Sequence, residues 1–264
     1  MAVFGNVMMV FSAASGGADP LEGLKDATQL YISFDRWQPF FSQGDYISEV
    51  PNGALFRITT GDPRTTTNAL IDKAHEVLTI PNRRLSDDTN RTVFYNVNGD
   101  IPFTFSYYIK LLNKNNGQQF VSARSFANNG FYGGYRVIIE SGFFRVLLYS
   151  TSDANKDLGS IVYDFPLTSF SVNVYNSIMI SYNGDKNNPL IKLYINAIDI
   201  TPTNVTNNNY TGMNNSIDAS KEATFFTSLN GYVDELNVSK GYFADDIRTA
   251  QAHHNNGNGV QNFK

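Results

Sequence analysis

The run Phe225-Phe226-Thr227-Ser228-Leu229-Asn230-Gly231-Tyr232-Val233-Asp234-Glu235-Leu236-Asn237-Val238-Ser239 constrains the fold more than any other stretch of the chain. After Gly231 it sets Tyr232, Asp234, Leu236 and Val238 against Val233, Glu235, Asn237 and Ser239. That imperfect two-residue alternation, rich in β-branched and aromatic residues, predicts a strand. The period then changes. Ala244–Gln251 places acids in a first helical turn, where they complement the helix dipole, and Asn255-Asn256-Gly257 supplies a stop.

The same alternation recurs upstream. Phe103–Lys110 puts Phe103, Phe105, Tyr107 and Ile109 on one face, which predicts a strand with one side turned to a core. Gln119–Arg124 reads as the next strand. Tyr135–Glu140 and Phe143–Tyr149 form a predicted hairpin across Ser141-Gly142, and Ser177–Tyr182 pairs with Leu190–Asn196 across a turn that opens on Asn183-Gly184. Leu30–Asp35 is the first predicted strand. Glycine and proline punctuate an irregular region from Arg36 to Pro81, within which Thr67–Ala74 reads as a helical turn and Val77–Ile80 as extended.

At 264 residues the chain is long for one average domain, yet all-β sandwiches reach this size as single units. Hydrophobic residues at 42% and aromatics at 14% suit a broad two-sheet core, while the 17% of charged residues leaves polarity to Asn, Ser and Thr in long turns. A net charge of −4, with Lys and Arg scattered, gives no basic footprint and argues against nucleic acid as a partner. The absence of cysteine excludes disulfides and thiolate metal sites.

Residues 1–25 read as an N-terminal arm, and residues 26–264 as the sandwich. The arm has no charge before Asp19 and a Ser15-Gly16-Gly17 hinge. It lacks the positive n-region of an export signal, and its apolar run falls short of the ~20 residues that span a bilayer, so neither export nor membrane insertion is expected. Phe4, Val7, Met9 and Phe11 either fold back as an edge strand or dock into another subunit, as in a homo-oligomer or larger assembly.

Catalytic patterns are missing. No strand carries the Glu-x-Asp-x-x-Glu spacing that would aim two carboxylates into one groove. Asp234 and Glu235 are adjacent, point to opposite faces and read as structural; Glu140 and Asp164 are arbitrary choices for a glycosidase pair. No Gly-x-Ser-x-Gly elbow and no phosphate loop occurs, and Gly130–Tyr135 reads as a loop bend. His75, His253 and His254 lack ligand spacing, and the adjacent His253-His254 pair is expected in solvent. The chain is therefore read as a non-enzyme needing no cofactor, although calcium through Asp35 or Asp185 fits the oxygen preference of hard cations. Sugar recognition combines flat aromatic faces with carboxamides. The loop Phe126–Tyr132 offers Asn128, Asn129 and Tyr132 for that, and the Thr203–Asn215 loop adds Tyr210; the bland alternative is that these aromatics pin a loop to the sheet.

Several of these passages together resemble a family. The Gly231–Leu236 strand with its following helix, the Phe103–Lys110 strand and the Ile178–Asn196 pair resemble the laminin G-like members of the concanavalin A-like lectin and glucanase superfamily, most clearly from residue 101 onward. Many relatives carry Trp-His before the Ser-Tyr-Asn-Gly strand, whereas this chain has Val174-Tyr175-Asn176-Ser177, so Tyr175 would fill that aromatic position. The resemblance implies an all-β, concanavalin A-like jelly-roll β-sandwich of two antiparallel sheets with a short C-terminal helix and an N-terminal arm; it is specific for fold rather than function. The opening Met1–Ser15 resembles the start of bacteriophage virion proteins that display lectin-like domains. That implies a non-catalytic protein of the virion surface, on head or tail, holding other virion proteins through the arm and exposing a sandwich for cell-surface glycans or adhesion. The alternatives are an exported, extracellular carbohydrate-binding module and, behind it, a glycoside hydrolase.

Overall fold

A computed structural model of the chain describes residues 19–32, 45–47, 55–59, 70–71, 74–75, 84–87, 100–127, 130–150, 159–213, 224–226 and 229–255. The chain runs through α1 (Glu22–Asp26), β1 (Thr28–Ile32), β2 (Asp45–Ile47), β3 (Leu55–Thr59), β4 (Leu70–Ile71), β5 (Ala74–His75), β6 (Arg84–Asp87), β7 (Phe103–Leu111) and β8 (Gln119–Ala127). It continues through β9 (Gly130–Glu140), β10 (Phe143–Tyr149), β11 (Ser160–Pro166), β12 (Asn176–Tyr182), β13 (Ile191–Ile195), β14 (Ile198–Asp199), β15 (Asn204–Asn208), β16 (Thr224–Phe225), β17 (Gly231–Lys240) and α2 (Ile247–His254).

The strands form a jelly-roll sandwich of two antiparallel sheets. One is ordered β1-β17-β7-β12-β13-β14, the other β15-β11-β10-β9-β8-β16-β6-β3-β2. Period-two alternation on β7 sends Phe103, Phe105, Tyr107, Ile109 and Leu111 inward, where they meet Phe120, Phe144, Val146, Leu148, Ile161 and Phe165 of the facing sheet. Tyr107 lies 6.3 Å from Phe120 across the gap, and within the nine-stranded sheet Phe120 meets Phe144 edge-on at 5.0 Å.

Gly231 opens β17 for a steric reason. A Cβ there would collide with the carbonyl oxygen of Lys110 on the paired strand, so only glycine lets β17 start against β7. Farther along, the pairing slips between Asp234 and Asn237, and Glu235 takes φ +50°. Asp234 Oδ1 accepts from the Glu235 amide at 2.9 Å, so this adjacent acidic pair builds a β-bulge.

Both helices lie on the outer face of the six-stranded sheet. Leu21 and Leu24 of the α1 region, Ala244, and Ala250 of α2 close over Tyr31, Met179 and Tyr194 in a second apolar cluster. Helix α2 starts at Ile247, later than the sequence predicts, because Asp246 is its cap: the carboxylate accepts from the Arg248 amide at 2.8 Å, and the first turn itself holds no acid. It ends at Asn255, in the left-handed conformation at φ 43°.

Two other expectations are corrected. Leu70–Ile71 and Ala74–His75 pair as a short antiparallel hairpin rather than a helical turn, and the strand following Phe126 resumes at Gly130, so β8 and β9 run almost to the tip where a longer loop was expected. Val77–Ile80, the arm residues Phe4, Val7, Met9 and Phe11, and Asp35 lie outside the described residues. Among the described residues no helix is long and apolar enough to cross a membrane.

Candidate functional site

The two outer faces of the sandwich differ in kind. The helices occupy that of the six-stranded sheet, whereas that of the nine-stranded sheet carries side chains of β9, β10, β11 and β15 outward. Strand alternation and register set the rows. Arg145 stands opposite Asp164 on one side and Ile138 on the other, and Leu147 stands between Val162 and Arg136. Asn204, Thr206 and Asn208 continue these rows on the edge strand, opposite Asp164, Val162 and Ser160.

The centre of this face is an ionic triad. Arg145 donates from Nε to Asp164 Oδ1 at 2.6 Å, from a second nitrogen to Asp164 Oδ2 at 3.4 Å, and from a third to Glu140 Oε2 at 3.1 Å. The Asp164 side chain is only 7% exposed and that of Arg145 22%. Hydrogen bonds to Asp164 first, and then to Glu140, raise the Arg145 pKa above its ordinary value. Leu147 and Ile138, both buried, form an apolar floor beside the triad, and half-buried Tyr149 and Val162 extend it. Arg136 Nε donates to Gln119 Oε1 at 3.0 Å, and Asn204 Nδ2 to Thr206 Oγ1 at 3.0 Å. The result is an apolar strip bordered by carboxamide, hydroxyl and carboxylate groups.

Glu140 and Asp164 thus converge on one arginine. Their sequence separation gave no sign of it; the cross-strand register of β10 with β9 and β11 creates it. The guanidinium donates to both carboxylates, so it fills the position between them that a glycosidic oxygen would need.

Of the residues singled out for sugar contact, Asn128 and Asn129 lie outside the described residues, and Tyr132 sits on β9 in register with Ser125. Tyr210 is buried, 7% exposed, and its hydroxyl donates to Asp100 Oδ1 at 2.6 Å. The same oxygen accepts from Tyr182 at 2.5 Å and from the Met213 amide at 3.2 Å. Burial, helped by the Asp100 carboxylate, pushes both tyrosine hydroxyls far above their usual range. Asp100 was missed because nothing local marks it: its partners come from 82 and 110 residues downstream. Gly212 belongs to this knot, since at φ +112° a Cβ there would stand 2.7 Å from Asp100 Oδ2.

Tyr175 lies beside Lys110, whose Nζ is 5.8 Å from its ring centroid and 5.1 Å from that of Tyr232. His253 corrects an expectation. It is 1% exposed, with its ring 5.3 Å from that of Tyr108, and burial depresses its pKa to about 3. The Tyr108 hydroxyl donates to the His253 and His254 carbonyls at 2.8 Å, and His254 Nδ1 meets Ser177 Oγ at 2.8 Å. Asp185 accepts from the Asn187 amide within its own turn, and no group of three or more His, Cys, Asp or Glu residues able to hold a metal occurs among the described residues.

No family model and no curated protein matches the sequence. Solved structures do share the fold. The binding domain of botulinum neurotoxin serotype D superposes with a TM-score of 0.54 at 13% identity, over 90% of this chain and 53% of that one. Domain 4 of an extracellular arabinanase from Geobacillus stearothermophilus, in complex with arabinotriose, gives 0.53 at 13% identity, over 85% and 98%. The binding domain of Paraclostridial Mosquitocidal Protein 1 gives 0.51 at 16% identity, over 88% and 53%. The chain therefore spans about half the length of the two toxin domains and nearly all of the arabinanase domain.

Proposed function

We propose that this sandwich is a non-catalytic binding module that recognises a neutral saccharide on the outer face of its nine-stranded sheet. The observation that carries the reading is the Arg145–Asp164–Glu140 triad beside half-buried Tyr149 and Val162 and the exposed polar strand β15. One guanidinium engages both carboxylates, and half-buried Tyr149 and Val162 beside exposed Asn204 and Thr206 offer a sugar ring an apolar edge with hydroxyl-matching donors and acceptors. The engagement of both carboxylates by one guanidinium supports binding rather than hydrolysis.

The wider setting we propose is the outer surface of a bacteriophage virion. The arm is the attachment to other virion proteins, a reading supported by the resemblance at Met1–Ser15 and by the absence of charge before Asp19. A glycan array followed by calorimetry tests the module: a neutral glycan should bind the native chain and lose at least tenfold in affinity in Asn204→Ala and Thr206→Ala, about 1.4 kcal/mol. Silence across neutral glycans, or release of reducing sugar from an array ligand, refutes it. Deleting residues 1–18 tests the setting separately; unchanged incorporation into particles removes the attachment role.

A further inference from the structure

The sheet edges end differently. β14 is two residues long, and its Asp199 is held by Lys192 at 2.7 Å; β2 is three residues long and begins with an acid; on β1, Thr28 and Tyr31 are buried. β15 is five residues long, Asn-Val-Thr-Asn-Asn, exposed throughout, without charge or proline, and in unbroken register with β11 over all five positions. Natural edges are blunted by short length, charge, proline or a bulge, and β15 has none of these. Its side chains are tied back to their own chain. Asn204 donates to Thr206, Asn207 accepts from the Tyr210 amide at 2.9 Å, and apolar Val205 is left 45% exposed.

We propose that β15 pairs antiparallel with β15 of a second copy of this chain, about a two-fold axis at Thr206, joining two nine-stranded sheets into one. A second copy is the occupant the strand fits. An antiparallel edge is its own complement under a two-fold axis, and an uncharged strand meets itself without repulsion. The seam also covers Val205. Five residues make a short seam, so the association is a weak one that depends on concentration. The dimer does not depend on the saccharide reading, because it is measured with no ligand present.

Sedimentation equilibrium of the full chain from about 1 to 100 μM tests the proposal. The expected result is an average mass that climbs with concentration toward that of two protomers, a climb absent in Val205→Lys, whose circular dichroism and melting temperature stay at native values because the side chain is exposed. The chain contains no cysteine, so Thr206→Cys introduces a single thiol that should oxidise to a covalent dimer when folded and not in urea. A native chain that stays monomeric across the series, a dimeric Val205→Lys, or a Thr206→Cys that fails to cross-link when folded overturns the proposal. Should Val205→Lys not fold, the native series and the cross-link decide it.

Discussion

Acid should loosen this protein through one histidine. His253 is 1% exposed, its Nε2 has no hydrogen-bond partner among the described residues, and its ordinary pKa of 6.5 falls to about 3, first because burial disfavours the charged ring and second because His254 stands beside it. The unfolded chain therefore binds a proton over a range where the folded chain does not. The stability contributed by the neutral ring is complete above pH 6.5 and is lost as pH falls toward 3. Between pH 7 and pH 5 this amounts to about 2 kcal/mol, and over the full interval to about 4–5 kcal/mol. Urea unfolding at steps from pH 7.5 to pH 5 should show that slope, a range that stays above the carboxylates Asp19 and Asp246, both held below their ordinary value of 3.8. In His253→Phe, which keeps an aromatic ring against Tyr108, most of the slope should vanish; His254, depressed by its own burial, accounts for the remainder. His253→Gln serves if the phenylalanine does not fit. A slope unchanged in the variant, or a His253 ring that titrates near 6.5 in the folded state by NMR, refutes the reasoning.

Further outcomes follow from particular contacts. Arg145→Ala strands the nearly buried Asp164 and should cost about 2–3 kcal/mol in chemical unfolding as well as glycan affinity. Gly212→Ala forces φ +112° on an L-residue and presses a methyl group toward Asp100 Oδ2, for a loss of about 1–3 kcal/mol read from the melting temperature. Tyr108→Phe removes a donor to two carbonyls at the end of α2 and should cost about 1 kcal/mol, with faster hydrogen exchange confined to that helix.

The β-architecture was legible because alternation is local. Phe103, Phe105, Tyr107 and Ile109 declare their shared face within seven residues, and the Asn183-Gly184 turn declares its hairpin. Long-range register is not local. Nothing near Asp164 predicts that Arg145 stands opposite it, and nothing near Asp100 predicts Tyr182 and Tyr210. The sequence read Tyr210 as a loop aromatic from its asparagine-rich surroundings, whereas its burial comes from a carboxylate 110 residues away. His253 was read as exposed because it lies close to a polar tail; the ring of Tyr108, on a strand 145 residues earlier, covers it.

The helices also settle how the module can be held. Thr249 of α2 donates to the Pro20 carbonyl at 3.1 Å, so the first and last described stretches of the chain meet behind the six-stranded sheet, on the side away from the Arg145 triad. Both sheets and the core they share stand between that junction and the Arg145 triad.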